Sequence, residues 1–203
     1  DTMNHYDVVR LDPLNKKYRL GLRILYLGDG IRRSIHVASV ARPFMHKLSE
    51  VIGESVHLAS VSNDMVYIID QVRSKRKYNL SASIGMIEPW HCSSVGKCIL
   101  AYMLEDEVDR ICSGHEMTRY NKNTITKVDK LKKELARIRK AGYALDDEEV
   151  VEGVCCIATP IFNYGGYVNH SLGGSGPAVQ LTPAKRNKYI EEMCKYSRRI
   201  SEE

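Results

Sequence analysis

Between Leu20 and about Ile31 the apolar residues Leu20, Ile24, Leu27 and Ile31 recur at helical spacing. A second helical stretch is expected from about His36 to Ile52, with Ala41, Phe44, Met45, Leu48 and Ile52 on one face. Pro43 lies inside it and should kink or interrupt it. Gly53 is placed to cap its end. The period then changes to two. Val56, Leu58 and Ser60 alternate with His57 and Ala59, and Met65 to Val72 is a β-rich run beyond a turn at Ser62-Asn63-Asp64.

Further along, a helix should open at Ser93 or Ser94 and run through Leu104. Thr126 is placed to cap the next one, with Asp129 completing an approximate capping box. Val128, Leu131, Leu135 and Ile138 form that helix's apolar stripe, and Gly142 ends it. Tyr143 to Asp146 is short and strand-like. Gly153 to Phe162 and Tyr167 to Leu172 read as strands joined at Asn163-Tyr164-Gly165-Gly166. Thr182-Pro183 starts a last helix that continues to about Ile200. Residues 1–20 differ: Tyr6 to Leu11 and Lys16 to Leu20 read as two strands around the turn Asp12-Pro13-Leu14-Asn15. A lone hairpin is marginal in water, so this piece should lean on something else. The order of elements predicts an α+β fold with a largely antiparallel sheet.

Composition adds exclusions. The 203 residues are 43% hydrophobic and 27% charged, which argues against disorder. No apolar run approaches the roughly 20 residues of a membrane span, and the first residues lack a signal-peptide pattern. Without a Met at position 1 the chain reads as a fragment. Thirty basic against 25 acidic residues give +5, which permits acidic ligands or nucleic acid without demanding either. The basic clusters, Arg32-Arg33, Arg73 to Lys77, Lys130 to Lys133, Lys185-Arg186 and Arg198-Arg199, read as solvated faces. Six cysteines include no Cys-x-x-Cys, and Cys155 and Cys156 should point to opposite faces of a strand. They read as reduced thiols of a cytoplasmic protein.

Four segments could carry chemistry. Gly85 to Lys97 brings small residues to the start of a helix, where free N–H groups and the helix dipole favour an anion. An ordinary capped helix with Gly96 packed closely is the bland alternative, and the spacing is not that of a phosphate-binding P-loop. In Gly142 to Glu149, four consecutive acids are usually a solvated turn, but Asp146 at a strand end could face a pocket. Gly153 to Ile161 carries Cys156, and Ser171 to Pro177 reads as a strand dissolving into a glycine-rich turn that a ligand could approach. A Cys–His nucleophile using His91 and Cys92 lacks a recognisable motif. A metal site from His57, His91, Cys92 and Cys156 lacks a diagnostic spacing, and no cofactor is expected.

In this order the four segments resemble the effector-binding domain of the IclR family of bacterial transcription regulators. The family's Pro-Leu-His-Ala-x-x-Leu-Gly-Lys-Ala is similar to Pro89 to Cys98, and Gly-Tyr-x-x-Asp-Asp-Glu-Glu to Gly142 to Glu149. Glu-Gly-x-x-Cys-Ile-Ala-x-Pro-Ile is matched by Glu152 to Ile161, and Ser-x-Ser-Gly-Pro by Gly173 to Pro177. Tyr18 to Gly21 resembles the stretch after the family's winged helix-turn-helix. The resemblance implies a GAF-like domain, a curved antiparallel sheet with helices on both faces and a small-molecule pocket.

It divides the chain into a wing-hairpin remnant (1–19), a linker helix (20–35) and an effector-binding domain (36–203). DNA would be contacted only through the missing N-terminal domain, and a homodimer or homotetramer is expected. By the same resemblance the effector is a small carboxylate. It would be held by the backbone of Ser94, Val95 and Gly96, by Asp146, Cys156 and Ser175, and beside Trp90. Gly173 stands where the family has its first serine, removing a hydroxyl, and His170 is expected to be partly exposed and not a contact. The implied activity is ligand sensing without catalysis. A stand-alone binding domain or an enzyme on the same fold is the alternative.

Overall fold

The computed structural model describes residues 2–76 and 82–203, without the side chains of 32–34. Arg32, Arg33 and Lys77, read above as solvated, therefore lie outside the described side chains. The chain forms two compact units, Asp1–Ser39 and Val40–Glu203.

The first unit holds a single helical turn, α1 (Thr2–His5), then strands β1 (Val9–Leu11) and β2 (Tyr18–Leu20), then helix α2 (Arg23–Ser34). β1 and β2 pair antiparallel with Leu11 opposite Tyr18. Asp12 shapes the turn by accepting the Leu14 N–H at 3.0 Å and pairing with Arg19. A side chain at Gly21 would start 1.8 Å from the Asp7 carbonyl oxygen, so only glycine fits there. The expected helix start at Leu20 is therefore corrected: Leu20 ends β2, 75% exposed, and α2 opens three residues later.

Helix α3 (His36–Ile52) crosses into the second unit. Of the expected kink or interruption at Pro43, the interruption does not occur, and the helix is continuous through it. Pro43 is exposed, so water can satisfy the carbonyl its missing N–H abandons, while Ala41, Met45, Leu48 and Ile52 anchor the opposite side in the core. Gly53, at φ 71°, ends the helix. Strands β3 (Ser55–Ser62) and β4 (Met65–Val72) form a hairpin whose two turn residues, Asn63 and Asp64, both have positive φ. A short strand β5 (Ile87–Glu88) follows, then helices α4 (Ser94–Leu100), α5 (Glu105–Gly114) and α6 (Val128–Ala141). Strands β6 (Ala144–Asp147), β7 (Val154–Phe162) and β8 (Val168–Pro177) and helix α7 (Pro183–Ser201) complete the unit.

The six strands make one curled antiparallel sheet in the order β5-β4-β3-β8-β7-β6. α4 lies on one face with α6 packed against it, and α7 lies on the other beside Ile52 of α3. Val66, Ile68, Val95, Ile99, Leu131 and Ile138 form the centre of the core on the α4 side. Burying each such side chain contributes about 1.5–3 kcal/mol.

Three boundaries differ from expectation. α4 stops at Leu100 because the Arg139 side chain takes the Ala101 carbonyl at 2.6 Å, and α5 begins separately. α6 starts at Val128 with no side-chain cap from Thr126, whose hydroxyl instead accepts from Arg119 at 3.0 Å. β8 continues to Pro177 instead of dissolving, because Leu172 to Ser175 pair with β7 on one side and β3 on the other and β7 carries the pairing on through Pro177.

Candidate ligand-binding site

Period-two alternation along β6 turns Asp146 inward and Asp147 outward. The register sets Asp146 opposite Cys156 on β7, and Cys156 opposite Ser175 on β8. Three polar side chains thus form one row across three neighbouring strands. The Cys156 thiol donates to the Ser175 hydroxyl at 3.3 Å. They border a cavity of about 200 Å³ whose other walls include Glu88, Met86 and Val150.

Asp146 is 3% exposed. Its Oδ1 accepts the N–H groups of Glu149 at 2.7 Å and Val150 at 3.4 Å, which folds the loop after β6 over the cavity. Burial nevertheless pushes its carboxyl up to about 6, against those bonds and the nearby Lys97. Burial also raises Glu88 and the Cys156 thiol. Asp147 behaves oppositely. It accepts from Cys155 at 2.8 Å and from Arg186 of α7 at 3.1 Å, and these hold its carboxyl below the usual range.

The remaining expected residues sit elsewhere. Ser94, Val95 and Gly96 form the buried first turn of α4 and do not line this cavity. The Gly96 N–H is taken by Ser93 Oγ at 3.1 Å. A side chain at Gly96 would start 2.7 Å from the Trp90 Cα, so the close-packing reading of this glycine holds. Trp90, 8% exposed, belongs to the core and meets His91 edge-on. His170 is partly exposed on β8.

Two features were missed. Lys97 is completely buried and paired with Glu149, whose carboxyl burial raises to about 7 despite that partner. The signal was a lysine set among Val95, Gly96, Cys98, Ile99 and Leu100, a run with no solvent-facing stripe. His57 on β3 is the other, buried beside Gly173. Among the described residues no His, Cys, Asp and Glu group is placed to hold a metal, and no helix is long and apolar enough to cross a membrane. All six cysteines are free. A wider cleft of about 710 Å³ lies over α3 and the end of β4, but Asp70, Glu50 and Glu54 pair with its Arg42, Lys75 and Arg76.

A curled sheet that sets a polar row against a small cavity is the architecture of a ligand-binding domain. Residues 31–202 match the family described as bacterial transcriptional regulator IclR C-terminal, and the chain belongs to that family. The HTH-type transcriptional repressor AllR of Salmonella typhi is 34% identical over 176 residues, covering 87% of this chain and 65% of its own. The chain thus spans just under two thirds of that relative. The crystal structure of the Thermotoga maritima IclR is 29% identical, with a TM-score of 0.86 over 99% of this chain and 81% of that one. An IclR homolog from Microbacterium hydrocarbonoxydans, solved with 4-hydroxybenzoate, shares the fold at 23% identity and a TM-score of 0.82, covering 99% and 81%.

Proposed function

We propose that this chain is the effector-sensing part of a transcription regulator, and that its cavity takes a small organic acid that alters operator binding by the full-length protein. The observation that carries the reading is the row Asp146–Cys156–Ser175 bordering the cavity. The 4-hydroxybenzoate complex of a protein with this fold supports a carboxylate as the ligand class. An ionised Asp146 would repel that carboxylate. The effector therefore presents a hydroxyl to Asp146, or Asp146 takes up a proton, which its raised pKa makes easy. The cysteines support binding over catalysis: burial lifts the Cys92 thiol to about 12, far from a reactive thiolate. Assembly into a homodimer or tetramer, with DNA contacted by the N-terminal domain, belongs to the same reading.

A thermal-shift screen against metabolic carboxylates finds the ligand, because binding to the native state alone raises stability. Calorimetry then tests the site. Asp146→Asn keeps the loop acceptor but removes the charge-assisted contact, and should weaken binding about ten- to a hundredfold. Ser175→Ala should cost less, and Asp147→Ala nothing. A crippled Asp147→Ala with a silent Asp146→Asn would place the site elsewhere.

A further inference from the structure

We propose that His57 sets the effector specificity of this pocket, its imidazole filling the side-chain space of position 173 one row beyond the cavity lining and presenting its polar edge to a ligand that reaches past Ser175. The proposal rests on the reading of the cavity given above.

Directly paired residues of an antiparallel sheet share a face. Ser55, Ser175, Cys156 and Asp146 form one such row, and His57, Gly173, Ala158 and Ala144 form the next, two residues along on the same face. Three positions of the second row are the smallest available, and the fourth is histidine. A Cβ built on Gly173 would lie 2.2 Å from His57 Nε2 and 2.8 Å from Val95 Cγ1. The ring therefore lies across Gly173, between the sheet and the first turn of α4. Glycine at 173 is what allows it to lie there.

His57 and Gly173 do not border the cavity but stand one row beyond its Ser175, with His57 4% exposed and its Nδ1 without a hydrogen-bond partner. Leaving a buried ring nitrogen unmatched is costly, and a ligand oxygen would relieve that cost. Burial pushes the ring down to about 4, so it meets the ligand uncharged. A neutral imidazole donates from one nitrogen and accepts at the other. That suits a hydroxy acid, whose carboxylate accepts and whose hydroxyl donates. The ring also limits length along the second row, so short acids should be preferred over aromatic ones.

The test uses the chain-length series from glycolate to 2-hydroxyhexanoate, together with 4-hydroxybenzoate, read by calorimetry. The melting temperature of each ligand-free variant checks folding. His57→Gln should weaken the best-bound acid about tenfold, the scale of one lost hydrogen bond. His57→Ala should move the preference to longer or aromatic acids. Gly173→Ser should lose binding by collision with the ring and regain it in the His57→Ala background. The imidazole ¹⁵N resonances of His57 should move when the preferred acid is added, a change that a purely structural ring would not show. Unchanged affinity and order of preference in both His57 variants, with Asp146→Asn and Ser175→Ala still impaired, would overturn the proposal alone. Silent Asp146 and Ser175 variants would overturn the pocket, and this inference with it.

Discussion

At the scale of single residues, the cavity side of the sheet holds groups that burial drives towards neutrality from opposite directions. Asp146 and Glu149 are raised to about 6 and about 7. Each holds a proton in the folded state at a pH where the unfolded chain has released it. Their contribution to stability is therefore complete below about pH 4 and is lost as pH rises through 6 to 7. His57, lowered to about 4, does the reverse: its contribution is complete above about pH 6.5 and is lost as pH falls to 4. Single substitutions separate the two. Relative to wild type, Asp146→Asn should raise the melting temperature at about pH 7.5 compared with that at about pH 5, and His57→Gln should shift it the opposite way. Equal shifts of one sign in both would show that the titrating groups are others. That Asp146 could face a pocket was legible only from its place at a strand end and from the family resemblance, because alternation puts adjacent acids on opposite faces without saying which face is covered. Lys97 and His57 were not, because burial of a charged or titratable side chain depends on partners from other elements. Glu149 lies 52 positions from Lys97, and Gly173 meets His57 across the sheet.

At the scale of elements, the hairpin β3–β4 and the helices α3 and α7 were readable because each carries its own period and punctuation. Thr182 and Pro183 at the start of α7, and Gly53 and Gly142 after α3 and α6, act locally. The length of β8 was hidden, since glycines that weaken a strand alone are tolerated when both neighbours supply the ladder. α5 was hidden as well: only Val108 and Ile111 are buried among its ten residues, too few to show a stripe. The entry to α4 is the element most sensitive to change. Gly96→Ala would drive a methyl into the Trp90 and Pro89 backbone, which has no flexible end to move aside. Overpacking of this kind typically costs about 1–3 kcal/mol, and denaturant unfolding should show it. Ser93→Ala removes the hydroxyl that accepts the Gly96 N–H and should cost about 1 kcal/mol. A neutral Gly96→Ala would mean that the loop before α4 yields more than its packing implies.

At the scale of the whole molecule, α2 leaves Leu22, Leu25, Tyr26, Leu27 and Ile31 exposed within one unit of the chain. Leu27 and Ile31 lie on one side of the helix and Leu22, Leu25 and Tyr26 on another, and exposed apolar surface of that extent normally marks association. Light scattering at concentrations on the order of tens of micromolar should show at least a dimer. Leu25→Glu together with Ile31→Glu should shift the population to monomer. Monomer alone in the wild-type chain would count against assembly. The partition between the cavity and α7 has its own consequence. Asp146 and Asp147 are joined by one peptide plane, as are Cys156 and Cys155. The first of each pair borders the cavity, while the second holds the Arg186 guanidinium of α7. The wall is thus one residue thick, with no relay of side chains between the cavity and the arginine clasp.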